Sequence, residues 1–193
     1  MGETYSIDAL AEDVADAIDG YPNERERVAA IKPSLARWMK RQEGLLPEHR
    51  LPCEGSRACG HLLHTAGDGS FFIISVVFPP GTSSGVHYHG AWGVIGVLEG
   101  EDEETKYARP AGPGDVSAGQ ECELEKTGVF LFPPGSITHL LPPDEGFHRV
   151  RAAADVNGVS IHILGGTAET HPHFLCDNAT RKLVDFPMHT LLG

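Results

Sequence analysis

The sequence has little that would take it to nucleic acid or into a bilayer. Its 193 residues carry 15 Lys and Arg against 27 Asp and Glu, a formal net charge of −12. Such a surface repels phosphate backbones and anionic headgroups. No run approaches the roughly eighteen consecutive apolar residues of a membrane-spanning helix. The longest apolar stretch, Phe71 to Phe78, is broken only by Ser75 and reads as a buried strand. The opening Met1-Gly2-Glu3-Thr4-Tyr5-Ser6 lacks the basic and apolar regions of a secretory signal. Glu3 and a helix starting soon after it argue against Gly2 as a myristoylation site. The four cysteines (Cys53, Cys59, Cys122, Cys176) include no C-x-x-C pair. They are expected to be reduced thiols of a cytoplasmic protein. The acidic run Glu101 to Glu104 reads as a solvated hairpin.

The length suits one domain with a substantial core. Residues 6–43 have helical periodicity. Ile7, Leu10, Ala11, Val14, Ala15 and Ile18 share a face, with Ser6 as N-cap and Gly20 as stop. Asn23 and Glu26 form a capping-box pattern for a second helix, expected to end before Pro33, with a third piece over 34–41. From about residue 57, short apolar runs alternate with Gly and Pro turns. Strands are expected near 60–65, 71–78, 85–89, 92–99, 104–109, 121–125, 128–132, 137–141, 147–154 and 158–164. The turns fall at 67–69, 79–81, 111–114 and 133–135, and a last short element is expected around 181–184. The fold class is therefore mainly β, a sandwich, jelly roll or barrel, with the helices packed outside a sheet.

What is abundant is histidine, eleven in all. His87-Tyr88-His89 on a strand aims both imidazoles to one face, because strand side chains alternate with period two. His139, after Pro133-Pro134-Gly135, is the expected third donor. Three neutral imidazoles hold a divalent transition metal and leave positions open for substrate, so a metalloenzyme for a small-molecule substrate is the working reading. His171-Pro172-His173 with Cys176 is a weaker second cluster, whose simpler explanation is loop packing or a pocket lid.

Gly81 to His89 with Gly100 resembles the first cupin motif, and Pro133-Pro134-Gly135 leading to His139 resembles the second, with one extra residue before the histidine. Gly93 stands where most cupins carry a glutamate ligand. A three-histidine cupin without that glutamate resembles the cysteine dioxygenase family, its bacterial branch above all, and His89 to Gly100 strengthens the likeness. It runs from about Arg57 to Gly166. The resemblance implies a cupin double-stranded β-helix over 57–166, with N-terminal helices over 6–43 and a C-terminal extension over 167–193. It implies Fe(II) on His87, His89 and His139, and O₂ as co-substrate. Ser160 and His162 match the serine and histidine of the family's outer-sphere hydrogen-bond relay, while Leu164 replaces its tyrosine. The family's crosslinked cysteine is replaced by Gly93 or Val94. His61 falls where the family has a carboxylate-binding arginine, with Gly60 or His64 next to it in register. An imidazole is not a bidentate guanidinium, so cysteine itself is disfavoured as substrate.

His61, Trp92 and Leu164 are the expected substrate-side residues, in an apolar pocket with Ile74, Val76, Val94 and Leu141. The implied activity is oxidation of a small thiol to a sulfinate. Two rivals are a three-histidine oxygenase that cleaves a C–C bond in a diketone-like substrate, and a cupin that senses a metal or small molecule without turnover.

Overall fold

The computed structural model describes residues 4–112 and 114–192. Met1, Gly2 and Glu3 of the N-terminal reading, and Pro113 of the 111–114 turn, lie outside the described residues. Helix α1 (Ile7–Gly20) begins where the Ser6 hydroxyl accepts the Ala9 N–H. Helix α2 (Glu24–Met39) begins where Asn23 accepts the N–H groups of Arg25 and Glu26. The expected break at Pro33 does not occur, and α2 absorbs the third helical piece. Pro33 and Ala29, whose carbonyl loses its helical donor, are both exposed, so water can replace that bond. Among the described residues, no helix is long and apolar enough to cross a membrane.

Eleven strands follow among the described residues: β1 (Cys59–Thr65), β2 (Phe71–Phe78), β3 (His87–His89), β4 (Gly93–Glu99), β5 (Asp102–Ala108), β6 (Glu125–Phe132), β7 (Ile137–Leu140), β8 (Phe147–Ala152), β9 (Gly158–Gly165), β10 (His173–Cys176) and β11 (Leu183–Asp185). The strands expected over 121–125 and 128–132 merge into β6, and Glu121 instead bridges to Lys182. One sheet runs β1-β2-β9-β4-β7 and the other β11-β10-β3-β8-β5-β6. This is the expected jelly-roll double-stranded β-helix. The segment beyond residue 166 is built into it, because β10 pairs directly with β3.

Residue parity explains both faces of the first sheet. β2 is buried along its whole length, which is why its sequence is an apolar run interrupted only by Ser75 rather than an alternation. Phe71, Ile73 and Val77 pack with the buried stripes of α1 and α2, while Phe72, Ile74, Val76 and Phe78 turn between the sheets. The antiparallel register carries this parity across: Val76 faces Ser160, Ile74 faces His162 and Phe72 faces Leu164. Val159, Ile161 and Ile163 therefore belong to the helix side. Ser160, His162 and Leu164 belong to the interior.

Candidate metal centre

The site is assembled on β3 and its two neighbours. His148 of β8 lies opposite His87, and His173 of β10 lies opposite His89. Directly opposed residues of an antiparallel pair project to the same face, so four imidazoles meet inside the barrel. All four are buried. Ring centroids are 4.9 Å apart for His87–His89, 4.3 Å for His87–His148, 4.7 Å for His89–His173 and 5.0 Å for His87–His173. Tyr88 points the other way, against Phe147 at 4.6 Å.

Hydrogen bonds to the far nitrogens decide which atoms face inward. A carbonyl or carboxylate can only accept, so each imidazole nitrogen bonded to one carries the proton. His87 Nδ1 donates to the Gly85 carbonyl at 3.1 Å, and His173 Nδ1 to the Phe186 carbonyl at 2.5 Å. His148 Nδ1 donates to Glu104 at 2.7 Å. His171 Nδ1 donates to the Gly165 carbonyl at 2.7 Å, which leaves its Nε2 as the acceptor for His89 Nδ1 at 2.8 Å. His87, His89 and His173, kept neutral by burial, therefore each present an unprotonated Nε2.

The Nε2 atoms of His87 and His89 lie 3.1 Å apart with no proton between them, and His148 Nε2 is buried without a partner. Donor nitrogens of His87, His89 and His173 all fall within 4.8 Å of one another. Converging lone pairs repel unless a cation sits among them, and this donor set fits a divalent transition ion. Burial and the surrounding imidazoles push the pKa values of His87 and His89 well below the usual histidine range. Burial brings His173 to about 4. The neutral forms that a metal requires are thus the ground state.

The third donor differs from the one expected. His139 pairs in register with Val94, whose side chain packs with the helices, so His139 faces outward onto α2. There Lys32 Nζ donates to its Nδ1 at 3.0 Å, and Glu145 lies 3.7 Å from its Nε2. The extra residue in the Pro133–His139 segment reverses the parity, and one position on a strand changes the face. His148 and His173 stand at the cluster instead. His173 was legible as part of an H-x-H pattern, though as a separate cluster. His148 went unweighed, and its signal was a histidine on the same face as the apolar Val150 and Ala152.

Other expected site residues sort the same way. His162 is buried at the cavity floor with Ser160 Oγ 3.0 Å from its Nε2. Burial lowers its pKa to about 3. His61 lies on the edge strand β1, donating to the Leu51 carbonyl at 2.8 Å, and does not line the cavity. Trp92, Val94 and Leu141 pack on the helix side, where the Arg27 guanidinium sits 5.6 Å above the Trp92 ring. Ile74 and Leu164 are filled into the core between the sheets. Of the expected pocket, Val76 does line the cavity.

The cysteines also depart from expectation. Cys53 pairs with Cys59 and Cys122 with Cys176, with Cα separations of 5.3 and 6.0 Å that suit a disulfide. The compartment drawn from reduced thiols thus loses its premise. Cys176 ends the strand that begins with His173.

Next to the imidazoles lies a cavity of about 370 Å³, with apolar walls from β2, β8, β10 and the C-terminal segment. A barrel interior that gathers proton-free imidazole nitrogens beside an apolar cavity defines a metal-dependent cupin. The sequence matches the family described as cysteine dioxygenase type I over residues 57–166. The chain belongs to that family and is a metal-dependent oxidoreductase of its cupin type. Among solved structures, it is similar to an uncharacterized conserved protein with a double-stranded β-helix domain from Klebsiella pneumoniae subsp. pneumoniae. That pair has 13% identity and a TM-score of 0.48, covering 66% of this chain and 85% of the other. It is also similar to KdgF from Halomonas sp., at 14% identity and a TM-score of 0.43, covering 64% and 93%.

Proposed function

We propose that the chain is an Fe(II)-dependent dioxygenase that converts a thiol and O₂ into the sulfinic acid. One observation carries this reading: the unprotonated Nε2 atoms of His87, His89 and His173 converge, with the unpartnered Nε2 of His148 on the same cavity, at a buried site whose described lining contains no carboxylate. A cation on neutral imidazoles keeps its full +2 charge, and so favours an anionic soft ligand such as a thiolate. When bound, iron(II) would supply the electrons that activate O₂ and a place for the thiolate beside it.

The chain's own residues do the rest. Gly85, Glu104, His171 and Phe186 fix four tautomers and so hold the nitrogens in place before any metal arrives. Burial is the largest single influence on Glu104 and favours its neutral form, but the hydrogen bond from His148 and the nearby basic groups, Lys106 among them, together outweigh it and keep the carboxylate charged. It would thereby offset part of the charge of a metal held by His148. Ser160 links Asp102 to His162 by hydrogen bonds, and this holds the His162 ring at the cavity floor. Val76, Phe78 and Val150 exclude water from the oxidising species.

Oxygen uptake tests the reading. The iron-loaded protein is offered thiols and a β-diketone in turn, and sulfinate is assayed by mass. Uptake with a thiol, matched one to one by sulfinate, is the expected result. Uptake with the diketone alone would assign the carbon-cleaving reaction instead.

A further inference from the structure

His139 takes no part in the metal centre, yet ionisable groups from three other elements gather around it on the outer side of the first sheet. It lies on β7, the edge strand of that sheet, and faces α2. Lys32 of α2 donates from Nζ to His139 Nδ1 at 3.0 Å. A lysine ammonium can only donate, so Nδ1 is the unprotonated nitrogen of a neutral ring and Nε2 carries the proton. Glu145, in the loop between β7 and β8, places Oε2 3.7 Å from that Nε2. Lysine, histidine and glutamate thus stand in line.

The groups around this line are cationic. Lys106 of β5 and Arg25 of α2 also reach Glu145, at 3.4 and 3.9 Å. Arg25 and Lys32 share one face of α2, two turns apart. Three cations therefore surround one carboxylate, on a chain whose formal net charge is −12. Burial holds the pKa of half-buried Lys32 below the usual lysine value, against the pull of Glu145 and with a smaller push from Lys106. Burial and the charge of Lys32 also hold His139 below the usual histidine range, so its ring is neutral at pH 7. The line is open to solvent, with 27% of the His139 side chain and 32% of the Glu145 side chain exposed.

Each part has a chemical consequence. Desolvation and a neighbouring cation favour the free amine of a lysine, which is its nucleophilic form. An amine that adds to a carbonyl carbon becomes acidic and must lose a proton. His139 Nδ1 stands at hydrogen-bond distance to take it. The imidazolium so formed lies beside Glu145, whose charge favours it. Arg25 and Lys106 add a local positive field that draws an anionic reagent to the spot.

We propose that Lys32 is a modification site for acyl phosphates, with His139 as its base. In the step, a bond forms between Lys32 Nζ and the acyl carbon, and the bond from that carbon to the phosphate oxygen breaks. Phosphate leaves with the electron pair. The proton from Nζ passes to His139 Nδ1 and then to water, and nothing is oxidised or reduced. The resulting amide removes one cation from the patch.

Site-resolved acylation rates test the proposal. The metal-loaded protein is incubated with acetyl phosphate, and the acetyl occupancy of each lysine is followed by peptide mass spectrometry. Lys40, Lys126 and Lys182 are exposed and serve as internal references. Lys32 should react about tenfold faster than these, less than the roughly 100-fold that a positioned base gives in an active site. His139→Gln should bring Lys32 down to the reference rate, and Glu145→Gln, which leaves the base in place, should slow it by less. Unchanged rates at the three reference lysines, with an unchanged circular dichroism spectrum, show that each variant is folded. Replacing Arg25 and Lys106 together by Gln should slow the reaction of Lys32 with acetyl phosphate but not with the uncharged N-hydroxysuccinimide ester of acetic acid. A Lys32 rate no higher than the references overturns the site. Indifference to both His139→Gln and Glu145→Gln overturns the role of the base. Equal slowing with both reagents in the Arg25 and Lys106 variant overturns the preference for an acyl phosphate.

Discussion

His148 stands opposite His87 across the β8–β3 ladder, its ring 4.3 Å away, with its Nδ1 given to Glu104 and its Nε2 given to nothing. A buried nitrogen without a partner costs free energy unless a ligand arrives, so this atom should coordinate. His148→Ala is expected to lose iron as fully as His87→Ala, measured as metal content per chain after purification. His139→Ala, on the helix side beside Lys32, should keep its iron. The reverse pattern would return the third ligand to His139.

Glu104 is the anionic end of a carboxylate–histidine pair in which both side chains are 2% exposed. Such partners orient the ring and raise its basicity, and their loss typically costs about 10–100-fold in metal affinity. Glu104→Gln keeps the shape and removes the charge. Competition with a chelator should show a fall of about that size. An unchanged affinity would mean that the pair serves packing alone.

The H-x-H pair was legible because strand parity is local: His87 and His89 share a face whatever the rest of the chain does. So was the α1 stripe, since Ile7, Leu10 and Val14 repeat at helical spacing and are buried. Parity also explains the failure at His139. A single residue between Pro133 and His139 decides inside from outside, and only the pairing with Val94 settles it. The place of His173 beside His89, and the Cys122–Cys176 bridge, were beyond local pattern for a different reason. Both depend on β10 returning to pair with β3, a contact between segments more than eighty residues apart. Pro33 misled because a proline on an exposed helix face costs less than one in the interior of a bundle.

That returning strand is tied at its end. Cys176 on β10 bridges to Cys122, with a sequence separation of 54 residues. A closed loop of that length is expected to contribute about 4 kcal/mol by the chain-entropy estimate. Cys122→Ser should therefore lower the urea midpoint, and a reducing agent should lower that of the unsubstituted chain by more than that of the variant, in which Cys53–Cys59 is the bridge left to reduce. If reductant leaves the unsubstituted chain unmoved, the bridge does not contribute to stability.

Asp102, inside the barrel with Oδ1 unpartnered, has its pKa raised to about 7 by burial, with the neighbouring Glu104 carboxylate adding to the shift. An unfolded aspartate titrates near 3.9. Between those values the folded chain holds a proton that the unfolded chain has released, so stability falls as pH rises. The contribution is fully present below about pH 4 and is lost as the pH passes about 7. Asn in this position carries no charge at any pH. Asp102→Asn should thus gain stability relative to the unsubstituted chain as the pH rises from 4 to 8, by an amount on the order of a few kcal/mol. The buried histidines titrate in both proteins, so their effect cancels in the difference. Urea unfolding of the two proteins at a series of pH values measures this difference directly. A difference that stays flat with pH would show that Asp102 is ionised in the folded chain and charge-paired inside the barrel.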